Sequence, residues 1–177
     1  MANHENIPQR PFGQARIEPA QTEHFSEIIQ LASVIWHAYY PGIISTEQID
    51  YMLERGYNME TLLRELEKGI HWDQLVVDDT LVGFASYGPA RKSGEMKIHK
   101  LYLHPDWQRK GLGSLFLNHM SITSRHQCYQ TLILNVNKHN TAAINAYKKN
   151  GFHIRESIEV DIGHGYIMDD YVMEKSI

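Results

Sequence analysis

The apolar positions change their period along the chain, and each change marks an element. Residues 15–18 read as a short strand, after which Phe25, Ile28, Ile29, Ala32 and Ile35 recur at helical spacing and predict a first helix over 22–38. Pro41-Gly42 breaks it. Ser45-Thr46-Glu47-Gln48 ahead of Ile49, Met52 and Leu53 is a cap followed by a second helix that Gly56 ends, and Leu62, Leu63 and Leu66 give a third over 59–68. From residue 71 the period falls to two. Runs at 71–77 and 80–87, separated by Asp78-Asp79, predict a hairpin, and a third strand over 95–103 follows the polar turn 89–94. His104-Pro105-Asp106 stops that strand, because proline cannot donate to a ladder and restrains its predecessor. Beyond a loop at 108–113, helical spacing runs from 114 to about 127. A strand at 131–136, a helix at 140–149 closed by Gly151, and strands at 152–160 and 166–173 around Gly163-His164-Gly165 complete the pattern.

The order strand, helices, antiparallel meander, helix, strand, helix, strands predicts an α/β chain with a mixed, mostly antiparallel twisted sheet flanked by helices. With 177 residues, 42% of them hydrophobic, the chain has the core of one ordinary domain, expected over 14–177 behind a polar tail at 1–13. A net charge of -4 and a pI of about 6.2 leave no basic footprint, so nucleic acid is not an expected partner. The lone Cys128 excludes an intramolecular disulfide and cysteine-rich metal sites, and reads as a small core residue. The 11 histidines are scattered, without a His-Glu-x-x-His pattern. No metal is therefore expected, and the nearest same-face helical pair, His119 and His126, reads as solvated surface. No apolar run approaches the ~20 residues that span a bilayer, and residues 1–5 do not open a signal peptide. A cytoplasmic location without a membrane partner is expected.

The loop Gln108-Arg109-Lys110-Gly111-Leu112-Gly113 joins a strand that stops at Pro105 to a helix. Orphan amides of a first helical turn and the positive end of the dipole suit a phosphate or pyrophosphate there. Gly111 and Gly113 admit an anion to the backbone, and Arg109 and Lys110 add charge. Alternatively, Gly111 starts the helix and Gly113 packs against the sheet. The P-loop and dinucleotide patterns both fail here.

The string from Lys100 to Gly113, with its Gln-Arg-Lys-Gly-Leu-Gly, resembles the acetyl-CoA-binding segment of the GNAT superfamily of N-acetyltransferases. Downstream, Asn137 to Phe152, with Asn140, Ala143, Tyr147 and Gly151-Phe152, is similar to a second segment of that family, in family order and spacing. The resemblance implies acetyl-CoA as donor, a splayed central strand pair, and a pantetheine arm bound by the main chain of Leu101, Tyr102 and Leu103. It places Gln108, Arg109, Lys110, Gly111, Leu112, Gly113 and Ser114 at the phosphates. Asn140 would contact the pantetheine or phosphate region, or simply cap the last helix; Ser114 likewise binds a phosphate or fills the first turn. It implies an acyltransferase acting on a small-molecule or peptide amine, with a homodimer as one arrangement.

Acetyl transfer requires a neutral amine, a site for the oxyanion and a proton for the departing thiolate. The resemblance puts Tyr147 at the general acid; otherwise it is a core tyrosine. Alternation puts Lys97, His99, Leu101 and Leu103 on one strand face, and His99 is the titratable group there with the intrinsic pKa of a base. His99 is the candidate base, beside a structural histidine or a water. Trp36, Tyr39, Tyr40, Tyr166, Asp169 and Asp170 can line an acceptor pocket through aromatic and carboxylate contacts, or serve as core aromatics and a solvated pair. A polyamine or other small amine is the expected acceptor. An acyl-CoA-binding sensor without turnover is the alternative of a different class.

Overall fold

The computed structural model describes residues 13–177, so the tail expected over 1–13 lies, Gly13 apart, outside the described residues. Strand β1 (Ala15–Pro19) leads through a 3-10 turn at Thr22–His24 into α1 (Phe25–Tyr39), where a single helix over 22–38 was expected. Helices α2 (Thr46–Gly56) and α3 (Met59–Glu67) follow. Ser45 and Asn58 cap them, each accepting from the amide three residues on (Gln48, 3.2 Å; Thr61, 2.8 Å).

The meander consists of β2 (His71–Val77), β3 (Thr80–Pro89) and β4 (Glu95–Leu103). Asp78 and Asp79, at φ of 48° and 63°, make the left-handed two-residue turn that suits the twist of a hairpin. Then come α4 (Leu112–His126), β5 (Thr131–Asn137), α5 (Thr141–Lys149), β6 (His153–Gly163) and β7 (Tyr166–Ser176). Both final strands run longer than the apolar pattern marks, because their outer halves pair through backbone while exposing polar side chains. No described helix is long and apolar enough to cross a membrane.

The seven strands of the described residues form one sheet in the order β1-β2-β3-β4-β5-β7-β6, in which β4 and β5 are the parallel pair. One face packs α1, α2 and α3 over Trp72 and Phe84; the other packs α4 and α5 over Met96, Ile98, Leu132 and Leu134. Phe25, Ile28, Ala32 and Ile35 in α1, and Phe116, Leu117 and Met120 in α4, are the buried stripes that fix each helix to its face.

Cys128 is exposed, contrary to the core position expected of it. It sits at φ 66° just past the end of α4, where the chain reverses and points the thiol outward. His119 also departs from expectation. Its Nε2 lies 2.9 Å from Oδ2 of the buried Asp73, which also accepts from the Tyr87 hydroxyl at 2.9 Å, so it ties α4 to β2.

Candidate functional site

β4 and β5 pair only from Glu95–Thr131 to Ile98–Leu134. Beyond Ile98 the two strands part, leaving residues 99–103 of β4 with a free edge and residues 135–137 of β5 facing them across a gap. The parting begins at a β-bulge, since Tyr87 of β3 pairs with Ile98 but Ser86 pairs with Lys100, so that His99 has no partner in β3.

This extra residue overturns the expected face. Met96 and Ile98 point to the α4 side, as do Leu101 and Leu103 beyond the bulge. Lys97 is therefore on the opposite face from Leu101 and Leu103, and a uniform alternation does not hold. Past the bulge the α1 side receives Lys100 and Tyr102: Lys100 reaches Glu65 of α3 at 2.6 Å, and Tyr102 packs with Trp36, Tyr57 and Phe84.

A cleft of about 880 Å³ occupies the gap and runs from the loop after β4 to the wall made by α1 and α2. At one end, Gln108, Arg109, Gly111, Gly113 and Ser114 line it. Arg109 (φ 58°) and Gly111 (φ 85°) are both left-handed, which turns successive amides to one side. Among the described residues the amides of Arg109, Lys110 and Gly111 have no backbone partner, and those of Leu112, Gly113 and Ser114 are the orphan donors of α4's first turn.

The two glycines differ. Gly111 caps the helix in a conformation that a side chain disfavours, although nothing stands within 4 Å of where a Cβ would be. A Cβ at Gly113 would make only an ordinary contact, 3.7 Å from Leu103 Cδ1. The fold therefore does not require glycine at 113. Space kept clear beside open amides is what an anionic group would use, and the cleft fits the diphosphate and extended arm of coenzyme A on these grounds.

Two residues of the loop do not face the cleft. Lys110 lays its ammonium over the Trp107 ring, 4.6 Å from the centroid, and the Leu112 side chain is buried in the core with only its amide at the loop. The Gln108 side chain donates to the Leu103 carbonyl at 3.2 Å, bracing the loop on the end of β4.

Across the gap, Asn140 is buried and its Oδ1 accepts from the Ala143 amide at 3.1 Å, so the expected cap is present. The same oxygen accepts from the Tyr39 hydroxyl at 2.8 Å, a bridge from α1 to α5 over the cleft. Nothing in the local sequence around either residue announces it. Tyr147 of α5 lines the cleft while its ring packs edge-on against Phe152 at 5.8 Å. Burial, with a smaller contribution from Tyr39, pushes its phenol up to about 12, so it holds a proton at neutral pH but is a weaker acid than a free tyrosine.

His99 lines the cleft. Although solvent reaches the ring, the protein around it, and then Lys97 and Lys100, push its imidazolium down to about 4. The ring is neutral at pH 7 and can accept a proton, but it is a weaker base than a free histidine.

The acceptor residues divide. Trp36, Tyr39, Tyr40 and Asp170 line the cleft, with the Trp36 and Tyr40 rings 4.5 Å apart. Tyr166 instead packs at a tilt against Tyr51, ring centroids 5.3 Å apart, and Asp169 pairs with Lys138; neither lines the cleft. The alternation of β7 explains the split between the adjacent aspartates, because only one of them can turn toward the cleft. Sequence reasoning overlooked Tyr102, Tyr57 and Met52 as side-chain walls of the same space: Met52 entered only as an apolar position of the second helix and Tyr102 only through its main chain.

Comparison with known proteins agrees with this geometry. The family model described as "Acetyltransferase (GNAT) family" matches residues 16–152. A curated relative, the spermidine N(1)-acetyltransferase of Thermoplasma acidophilum, is 26% identical over 164 residues, covering 90% of this chain and 95% of the relative. The crystal structure of the PaiA N-acetyltransferase from Thermoplasma acidophilum in complex with coenzyme A superposes with a TM-score of 0.81 at 25% identity, covering 93% of this chain and 99% of that one. The ribosomal-protein-S18-alanine N-acetyltransferase of Escherichia coli shares the fold, with a TM-score of 0.71 at 20% identity over 93% of this chain and 94% of the other.

Proposed function

The chain belongs to the acetyltransferase (GNAT) family, and on that premise we propose that it moves acetyl from acetyl-CoA to a primary amine of a small, polyamine-type acceptor. Transfer is by direct attack in a ternary complex. The observation that carries this reading is the parted β4–β5 pair, whose free edge runs straight from an anion-binding loop to an aromatic-walled space within one cleft.

The loop amides at residues 109–114 and the dipole of α4 hold the diphosphate, with Arg109 adding charge. Gly113 leaves them reachable. The free edge of β4 at Leu101–Leu103 pairs with the amide-bearing arm as a further strand would, and an amide there faces the oxyanion. Bound acetyl-CoA supplies an acyl group activated as a thioester with a thiolate leaving group.

Tyr147 donates its proton to the departing sulfur, and the attacking nitrogen loses one, so the net transfer is from amine to thiol. His99, directly or through water, accepts the proton that makes the amine nucleophilic. No residue of the cleft need bond to the acyl group, because holding both substrates together makes the attack effectively intramolecular. The acceptor reading draws on Trp36 and Tyr40, whose faces attract an alkylammonium, and on the polyamine named for the curated relative.

Initial rates measured with acetyl-CoA and spermidine varied together test the mechanism. Double-reciprocal lines that converge are expected. Parallel lines, the mark of an acyl-enzyme, would contradict direct attack.

A further inference from the structure

On the α1 side of the sheet, β5 presents Ile133, Asn135 and Asn137 beside Lys97 of β4, and β7 continues that face with Asp170, which pairs with Asn137. Asp170 lines the cleft, is only 6% exposed, and its Oδ1 is buried with no hydrogen-bond partner. Such an oxygen is costly to bury and calls for a cation.

The residues around it do not supply one. Lys97 is close enough to act on Asp170 electrostatically, yet no described cation comes within ion-pair distance of it. Lys138 is engaged by Asp169. Asn135 stands beside Asp170 on the same face and can share only one of its two oxygens. Burial pushes the Asp170 carboxyl up, Asn135 and then Lys97 act against that, and the carboxylate faces a cleft lined in part by aromatic rings with one oxygen still unpartnered.

That charge is in the wrong place for the reacting nitrogen. An ammonium paired to a buried carboxylate holds its proton more tightly, and a protonated nitrogen cannot attack. The reacting atoms belong at the β4–β5 gap, beside Tyr147 and the free edge of β4. With strands about 4.8 Å apart, β7 lies one to two strand spacings from that gap, which is about the span of a three- or four-carbon chain.

Resting on the reading of the cleft as an amine acetyltransferase, we propose that Asp170 is the specificity-determining residue of the acceptor site, binding the second, unreacting ammonium of a diamine or polyamine. Trp36 and Tyr40 line the path of the intervening carbons. Monoamines fill the reacting position without this anchor.

Kinetics and calorimetry with 1,4-diaminobutane and butylamine test the assignment. The wild-type protein is expected to show a KM about 10–100-fold lower for the diamine. Asp170→Asn, nearly the same shape without the charge, should erase that preference by raising the diamine KM alone. The affinity for CoA should stay within about twofold. Titration of the CoA-bound protein with the two amines should reproduce the same difference and its loss in Asp170→Asn, whatever the turnover. Equal binding of the two amines by the wild type, or an equal loss for both in the variant, would overturn the role of Asp170 and leave acetyl transfer standing. Diamine binding that depends on Asp170, with no amine acetylated, would support Asp170 and overturn the transfer reading instead.

Discussion

The two ends of the cleft are built from different materials. At the end proposed for the donor the contacts belong to the main chain: the open amides at residues 109–114, a left-handed Gly111 and the free edge of β4. At the end proposed for the acceptor they belong to side chains, Trp36 of α1, Tyr40 just past its end and Asp170 of β7, drawn from opposite ends of the chain. A backbone site needs a fixed run of residues so that the chain turns correctly, whereas a side-chain site can be changed one residue at a time without disturbing the fold. The donor end is thus the part that many acetyltransferases can share, and the acceptor end is where they can differ.

Substitutions should separate the ends. The largest effect is expected from Gly111→Glu, which strains a residue at φ 85° and sets a carboxylate beside the open amides. CoA affinity measured by calorimetry should fall more than about 100-fold, or about 3 kcal/mol, with the fold retained; unchanged affinity would remove the loop from the donor site. Next in size, Tyr147→Phe should lower kcat about 100-fold while CoA affinity moves less than about twofold. Equal turnover of the two proteins would strip Tyr147 of its role as acid.

Asn140 belongs to both ends, because one oxygen caps α5 and receives the Tyr39 hydroxyl. Asn140→Ala should cost about 1–2 kcal/mol of stability in urea titrations, against about 1 kcal/mol for Tyr39→Phe, which keeps the cap. If the two cost the same, the cap contributes nothing.

The smallest effect concerns pH. His99 ionises near 4 in the folded protein and near 6.5 when unfolded, so the unfolded chain binds the extra proton between those values. Stability should therefore rise with pH across that window, and the rise should shrink in His99→Gln. An unaltered slope in the urea midpoint against pH would show that the imidazole is not held down in the cleft.

The contrast between the ends also explains what the sequence revealed. Element order and the loop between β4 and α4 were legible because periodicity reports buried faces, and because the proline, the glycines and the start of the next helix stand close together in the chain. The bulge at His99 was not legible. One unpaired residue in β4 sets Lys97 on the opposite face from Leu101 and Leu103, and an alternating apolar pattern carries no mark of it. Likewise Asp169 and Asp170 look alike as letters, and the register of β5 against β7 turns only the second toward the cleft. Lys110 looked like a phosphate ligand by its place in the loop, but Trp107, three residues earlier, offers its ammonium an aromatic face.

The central claim is that one cleft brings an acyl donor and an amine together. Release of free thiol from acetyl-CoA, followed as spermidine, 1,4-diaminobutane, butylamine or a lysine-containing peptide is added, tests it most directly. The account predicts release that depends on amine, matches acetylated product one for one and is fastest with the polyamines. Tight binding of CoA without amine-dependent release across the whole panel would contradict it.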